Sequence, residues 1–411
     1  MKVAWISYFP VEWMPEAPPE IQRMPKHHPA SWQRVLLRRW MEDNPDLELH
    51  ILALRKQFPR SCQFRIGPAT FHCIRTIGGF RAPTLFWYDT WLIARTLRQV
   101  RPSLVHAWGT ENGAALIAAR LRYPYLVTVQ GLMSWYREAV PDLPMYHHMA
   151  AWLERRSLSR APLVTTESRF AVEFVRSRFH APRILQIEHA PDPCFSEIAR
   201  QPAQGQFRFL ANGRFDLRKG ADLLLRALHR IAAEIPWQLI HIGPPRSPLA
   251  DQLRAELGPT LWSRIVFRQQ LTPVEVAEEL AHATLMLCPT RADVSPNSVK
   301  EAVVAGVPVV ASRTGGIPDY VVPGKNGLLF EPGDLEGFVA ALREACRHPL
   351  FKLGKVDTET LHRMREYLSP QVMAHRFHEA YQQLLTLADH SKQQAAHASG
   401  EGPTRATQSP T

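Results

Sequence analysis

The sequence predicts an α/β protein built as two doubly wound domains. Three observations carry that prediction. The length of 411 residues exceeds what one ordinary hydrophobic core organises. Short apolar runs alternate with amphipathic helical stretches along the chain, the pattern of a parallel sheet with covering helices. The alternation is interrupted at RQPAQGQ (200–206), whose Gln, Gly and Pro read as a linker. The expected organisation is therefore a first domain over 1–199, a second over 207–369, and a helix over 370–389 that returns to the first domain. The polar stretch 390–411 lacks apolar periodicity and is expected to be disordered.

In the first half, KVAWISYF (2–9) and LELHILAL (47–54) read as strands flanking the amphipathic WQRVLLRRWMED (32–43). The unit repeats as strand 104–108, helix 113–121 and strand 125–130, then as strand 163–168 ahead of helix 169–179. In the second half FRFLAN (207–212) leads into helix 221–235, where Leu224, Ala227, Leu228, Ile231 and Ile235 share one face. Strands follow at 237–243, 264–269, 284–290, 307–312 and 326–332, with helices over 274–283, 298–306 and 334–347.

Composition removes several functions. No apolar run approaches the ~18–20 residues that span a bilayer, and the N-terminus has neither the long apolar core nor the small-residue cleavage site of a leader, so a cytoplasmic protein is expected. Cys62, Cys73, Cys194, Cys288 and Cys346 form no C-x-x-C pair and read as plain thiols. The formal net charge is +11, and residues 1–122 alone carry about eight more basic than acidic side chains. Anionic partners follow: a phosphorylated small molecule, or peripheral contact with an anionic membrane surface. Nucleic acid is not expected, because the basic residues match no nucleic-acid-binding motif. Neither D-x-D nor H-E-x-x-H occurs, so no metal site is expected.

Ligands of parallel α/β domains bind beyond the carboxyl ends of the strands, where the next helix offers unpaired N–H groups. Three loops of the second half qualify. In NGRFDLRKG (212–220), Arg214 and Lys219 stand in a loop bounded by Gly213 and Gly220, where they can clamp a diphosphate or serve only solubility. In PTRADVSPNSVKEAVVAG (289–306), Asp293 follows a strand and Glu301 lies one turn inside the next helix, while the N–H groups of Asn297 and Ser298 open that helix. The two carboxylates can face a sugar and a ribose across the helix start; equally, Ser298 and Glu301 have the spacing of a capping box. In SRTGGIPDY (312–320) the paired glycines admit a ligand close to the backbone or make a tight turn.

Taken together, GRFDLRKGADLLLRA (213–227), Asp293-x7-Glu301 running into AVVAGVPVVAS (302–312), GGIPDYV (315–321) and GKNGLLF (324–330) resemble the retaining glycosyltransferases of family four, also called glycosyl transferases group 1. The resemblance implies a GT-B fold, two Rossmann-like domains facing each other across a cleft, and transfer of a sugar from a nucleotide sugar to a glycan, lipid-linked or small-molecule acceptor. It implies no cofactor and does not separate UDP- from GDP-sugars. Arg214 and Lys219, with Gly213, Asn297 and Ser298, would hold the donor, Glu301 its ribose, and Asp293 the transferred sugar. Asp293 stands where the family usually has Glu, and Ser295-Pro296 where it often has Phe-Gly.

The first half resembles the family through RPSLVHAWGTENGAALIAARLRYPYLVTVQG (101–131), with Gln130 where a His commonly stands. Gln130 exchanges no proton near neutral pH and is expected to hydrogen-bond a sugar hydroxyl. His106, Trp108 and Glu111 follow the preceding strand and are candidates for the acceptor wall; a satisfied core histidine is the competing reading of His106. Rival functions are a sugar-nucleotide epimerase or phosphorylase on the same fold, and a non-catalytic sugar-nucleotide or membrane-surface binding protein.

Overall fold

The computed structural model describes residues 1–398 apart from 27–29, 44–45, 79–80, 82, 141–142, 204 and 270. Among the described residues the chain forms two sheets. The first contains β1 (Lys2–Ser7), β2 (Glu48–Arg55), β3 (Cys62–Ile66), β4 (Ala69–Arg75), β5 (Leu104–Trp108), β6 (Tyr125–Thr128), β7 (Leu163–Thr166) and β8 (Ile184–Gln186), in the order β3-β4-β2-β1-β5-β6-β7-β8. The second contains β9 (Phe207–Asn212), β10 (Trp237–Ile242), β11 (Ile265–Arg268), β12 (Leu285–Cys288), β13 (Val309–Ser312) and β14 (Gly327–Phe330), in the order β11-β10-β9-β12-β13-β14.

Every pairing is parallel except that of β3 with β4. Helices cover both faces of each sheet, which is why β5, β7, β12 and β13 are buried along their whole length and do not alternate. The β3–β4 hairpin was not legible as such. β3 is an edge strand with half-exposed positions, and its signal is the turn at Gly67, which takes φ +53°.

Three strands of the first half end earlier than expected: β1 stops at Ser7, β6 at Thr128 and β7 at Thr166. Gln130 lies beyond the end of β6, and Glu167 and Ser168 beyond the end of β7, in the loops that face the second domain. The helix expected over 113–121 is Ala114–Ala118, and the one over 221–235 stops at Arg230. Residues 200–203 are no free linker. The Arg200 guanidinium donates to the carbonyls of Leu280, Ala281, Ala283 and Gly354, tying the segment to the second domain.

The last helix, Pro370–Ala398, packs Phe377, Tyr381 and Leu384 against Trp5, Trp40 and Leu36 of the first domain. It continues through residues 390–398, which were expected to be disordered; Lys, Gln and Ala there are good helix formers and extend a helix already nucleated by packing. Residues 399–411 lie outside the described residues.

The topology creates two crevices. In the second sheet the chain leaves β9 toward β10 on one side and returns to β12 on the other, so the loops after β9 and β12 diverge. In the first sheet β1 and β5 are related in the same way. Such switch points are where open parallel sheets receive ligands.

Candidate active site

At the β9/β12 switch point the chain packs its two loops tightly together. Gly220 takes φ +73°, and a Cβ there would lie 1.9 Å from the Pro289 carbonyl oxygen, so a side chain at this position is excluded. Thr290 Oγ1 donates to the Arg218 carbonyl at 3.0 Å, and Arg291 N–H donates to the same oxygen at 2.8 Å. Asp216 accepts from the Lys219 N–H at 2.8 Å and sets the turn that aims Lys219 at the β12 side. The Lys219 ammonium then bonds the Asp293 carboxylate. Gly213, at φ +151°, lies behind the Lys219 chain, whose Cδ would be 3.7 Å from a Cβ built there.

The basic partner beside Lys219 is Arg218. Its Nη1 lies 3.8 Å from Asp293 Oδ2 and donates to the Ala292 carbonyl at 2.9 Å. Arg214 does not join them: its side chain is 83% exposed and lies 3.4 Å from Asp216. The structure thus brings Arg218, and not Arg214, beside Lys219 and Asp293. Side-chain direction in a loop follows backbone dihedrals, which sequence separation does not reveal. Arg218 adjoins Lys219 in the sequence, and that adjacency was the available signal.

The helix Asn297–Ala305 begins after Pro296, with no side chain capping it. The capping box open to Ser298 and Glu301 is not made. Asn297 and Ser298 are half-buried on the first turn, where backbone N–H groups have no intrahelical acceptor. Glu301 is buried, and burial pushes its carboxyl up to about 7, with Lys300 pulling it down and Asp192 pushing it further up. Glu301 makes no hydrogen bond or ion pair with Lys219 or Asp293 among the described contacts.

The paired glycines serve packing between these loops and the first domain. A Cβ at Gly315 would lie 1.8 Å from the Asp293 carbonyl oxygen, and one at Gly316 would lie 2.6 Å from Ser168 Cβ.

The opposing wall comes from the loops after β5 and β6. A Cβ at Gly109 would lie 3.0 Å from Glu111 Oε2 and 3.3 Å from Gln130 Oε1, so these two side chains meet over that glycine. Burial pushes the Glu111 carboxyl up. Next to them is Tyr136, on the helix Met133–Ala139. Its hydroxyl is driven up first by burial and then by the charge of Asp293 on the opposite wall. The Arg218 guanidinium lies 5.0 Å over its ring. Sequence reasoning did not single out Tyr136. Its helix is started by Glu154, which accepts from the N–H groups of Met133 at 2.7 Å and Ser134 at 3.0 Å and is pushed by burial to about 7.

His106 is not on this wall. It is fully buried on the sheet face covered by the last helix. Trp5 Nε1 donates to Tyr381 Oη at 3.0 Å, and Tyr381 Oη lies 2.8 Å from His106 Nδ1. His106 Nε2 lies 2.6 Å from Thr128 Oγ1, which is 2.6 Å from Thr165 Oγ1. A neutral ring with its proton on Nε2 satisfies the whole chain, and burial drives its pKa well below the ordinary histidine range. The catalytic assignment of His106 is corrected on these grounds. Trp108 stacks on His106 at 4.2 Å and is also buried, which leaves Glu111 alone of the three candidates after β5 on the wall.

The two domains are joined beside this site by polar contacts, two of them buried and one, Arg169 with Asp319, at the surface. Lys300, next to Glu301, donates to Glu167 at 2.6 Å, and both side chains are buried. Burial alone would raise the Glu167 carboxyl, but His189 and Lys300 hold it at about 2. Ser168 Oγ donates to the Val294 carbonyl at 3.0 Å, and Asp319 accepts from Arg169 Nε at 2.8 Å and Arg169 N–H at 2.9 Å. Among the described residues no group of three or more His, Cys, Asp or Glu is placed to hold a metal ion, and no helix is long and apolar enough to cross a membrane.

Both halves of the chain match known proteins. The model of Glycosyltransferase Family 4 matches residues 47–193, and that of Glycosyl transferases group 1 matches residues 206–348, one in each half. The α-maltose-1-phosphate synthase of Mycobacterium tuberculosis is 31% identical over 264 residues, covering 58% of this chain and 67% of that protein. Other curated relatives are spanned over 39% to 67% of their length. Among solved structures, sucrose-phosphate synthase from Thermosynechococcus elongatus superposes with a TM-score of 0.77 at 18% identity, covering 94% of this chain and 100% of that one. An Anabaena HepE structure in complex with UDP-glucose superposes with a TM-score of 0.64 at 14% identity, covering 93% of this chain and 100% of that one. With both halves matched in order and two parallel sheets carrying the loops at their switch points, the chain belongs to glycosyltransferase family four and has the GT-B fold.

Proposed function

We propose that this protein is a retaining glycosyltransferase that binds a nucleoside-diphosphate sugar at the β9/β12 crevice and transfers the sugar to an acceptor hydroxyl presented by the first domain. The observation that carries this reading is the meeting of Lys219, Arg218 and Asp293 where the second sheet changes direction. Two cations and a carboxylate in one crevice match a ligand that carries phosphates at one end and hydroxyls at the other.

In this mechanism Lys219 and Arg218 neutralise the diphosphate, and the first-turn N–H groups at Asn297 and Ser298 point at the same anion. Asp293 accepts hydrogen bonds from hydroxyls of the transferred sugar. Glu301, as a carboxylate, accepts from the ribose. Gln130 orients a sugar hydroxyl from the opposing wall, beside Glu111 and Tyr136. The acceptor oxygen bonds the anomeric carbon as the bond from that carbon to the phosphate oxygen breaks. The acceptor's proton passes to the departing phosphate oxygen, so no separate base is required. Retention of configuration rests on the family. Its neighbour in complex with UDP-glucose makes uridine donors the first to try, and a curated relative described as GDP-mannose-dependent makes guanosine donors the second.

Calorimetric titration with UDP, GDP and their sugars tests the reading. One nucleoside diphosphate should bind, and binding should be lost in Lys219→Ala. Heat-silent titration by all of them, or equal binding by the variant, removes the crevice as the donor site. Release of the nucleoside diphosphate only when an acceptor is present separates transfer from epimerisation.

A further inference from the structure

One face of the first domain carries side chains that the cleft does not use. The helix Trp87–Val100 points Trp87, Trp91, Arg95 and Arg98 outward at three- and four-residue spacing. Trp87 is 62% exposed and Trp91 51%, with Tyr88 stacked on Trp91 at 6.0 Å. The helix Met145–Leu158 does the same with Met145, 79% exposed, Trp152, 47% exposed, and Arg155 and Arg156. The two helices are linked through Arg120. Its guanidinium lies 4.2 Å over the Trp87 ring, and its pKa is lowered by burial and by the nearby charges of Arg156 and Arg160. Arg156 in turn lies 5.6 Å over the Trp152 ring.

Rings and guanidinium groups therefore share one surface. Among the described ion pairs none neutralises Arg95, Arg98, Arg120, Arg156 or Arg160. Exposed Trp and Tyr are amphipathic and settle at the headgroup level of a bilayer, where arginines meet lipid phosphates. Trp, Tyr, Met and Arg are also enriched at protein interfaces, so the rings by themselves do not choose the occupant and the unpaired charge does. Uncompensated cations interleaved with rings fit a broad anionic surface.

We propose that this face docks the protein on an anionic lipid bilayer. Glu154, on the second helix, accepts from the Met133 and Ser134 N–H groups that start the Tyr136 helix, so the docked helix packs directly behind that wall of the cleft. The docked face thus reaches the acceptor side of the cleft, and an acceptor anchored in the bilayer enters there. Docking stands independently of the donor site; only delivery of the acceptor rests on the glycosyltransferase reading.

Flotation of the full chain with vesicles of phosphatidylcholine alone, or with one-third phosphatidylglycerol, tests docking. The protein should float with the anionic vesicles at low salt, lose most of that binding at high salt, and ignore the neutral ones. The variant Trp91→Ala/Trp152→Ala/Arg156→Glu should bind anionic vesicles at least about tenfold more weakly. A second variant, Arg95→Glu/Arg98→Glu/Arg156→Glu, removes charge alone and should also lose binding. Both should melt like the parent protein and keep its nucleotide binding, so a folding defect or a failed donor site is read separately from docking. No flotation at low salt, equal capture by neutral vesicles, or undiminished flotation of both variants overturns the proposal. Pull-down of a soluble protein through this face without vesicle binding overturns it as well.

Discussion

The crevice where β9 and β12 part and the crevice where β1 and β5 part occupy equivalent places in their sheets, but different side chains fill them. The first is lined by Arg218, Lys219 and Asp293. The second holds a small cavity lined mostly by apolar side chains such as Ile6, Leu52, Leu54 and Ile93, and the one cation among its lining residues, Arg81, is already paired with Asp89. Topology supplies a crevice in both domains, whereas charge makes one of them suited to an anion. In the first domain the polar wall lies one strand away, where Glu111, Gln130 and Tyr136 gather. The difference teaches that the switch point locates a site and the side chains reaching it decide the ligand.

The largest expected effect tests what holds the two walls together. Lys300→Met leaves buried Glu167 with only His189 beside it, and breaking such a buried pair costs about 3–5 kcal/mol. Urea unfolding should show that loss, and the double variant Lys300→Met/Glu167→Gln should recover much of it. Recovery that fails would mean that the Lys300 chain is held by packing and not by charge.

Next in size is the cation contrast within the charged crevice. Lys219→Ala should lower kcat/KM by about 10²–10³-fold, the usual loss when a donor to a developing anion is removed. Arg214→Ala, at an exposed ion pair, should change it by less than about fivefold. A reversal of the two would restore the clamp expected from spacing.

Glu301→Gln comes third. It should raise the donor KM by about tenfold, since a charge-assisted hydrogen bond becomes a neutral one. In the parent enzyme donor affinity should fall as pH drops below about 7, because the carboxyl pushed up to about 7 then becomes protonated. The variant should show a flatter profile. Stability carries the opposite sign. A carboxyl with a raised folded-state pKa contributes stability below its ordinary range, and that contribution is lost as pH rises through about 7. Melting of the parent should therefore decline from pH 5 to pH 8 more than melting of Glu301→Gln.

The smallest effect belongs to the uncharged wall. Gln130→Ala removes one neutral hydrogen bond and should raise the acceptor KM by less than about tenfold, leaving donor binding unchanged. A weakened donor titration would place Gln130 on the wrong partner.

Much of this was legible before any coordinates. FRFLAN followed by NGRFDLRKG, and TLMLCPT followed by RADVSPNS, each read as a strand leading into a polar loop and a helix, and Lys219 and Asp293 were found there. Arg214 was chosen over Arg218 because the turn at Asp216 turns one inward and leaves the other in water. His106 misled for a different reason. Its two hydrogen-bond partners, Tyr381 and Thr128, lie 275 and 22 residues away, and the nearer one sits on the neighbouring strand. Tyr136 gave no signal, since its place opposite Asp293 exists only once Glu154 has set the start of its helix.

The sequence by itself determined the alternation of strands and helices, the division into two sheets and the loops that would carry charge. Those features follow from apolar periodicity and turn residues, which act over a few neighbours. Only the tertiary structure decided which charges meet. Lys219 reaches Asp293 across 74 residues and Lys300 reaches Glu167 across 133. Such pairings depend on strand order and on side-chain direction in loops, neither of which a local pattern encodes.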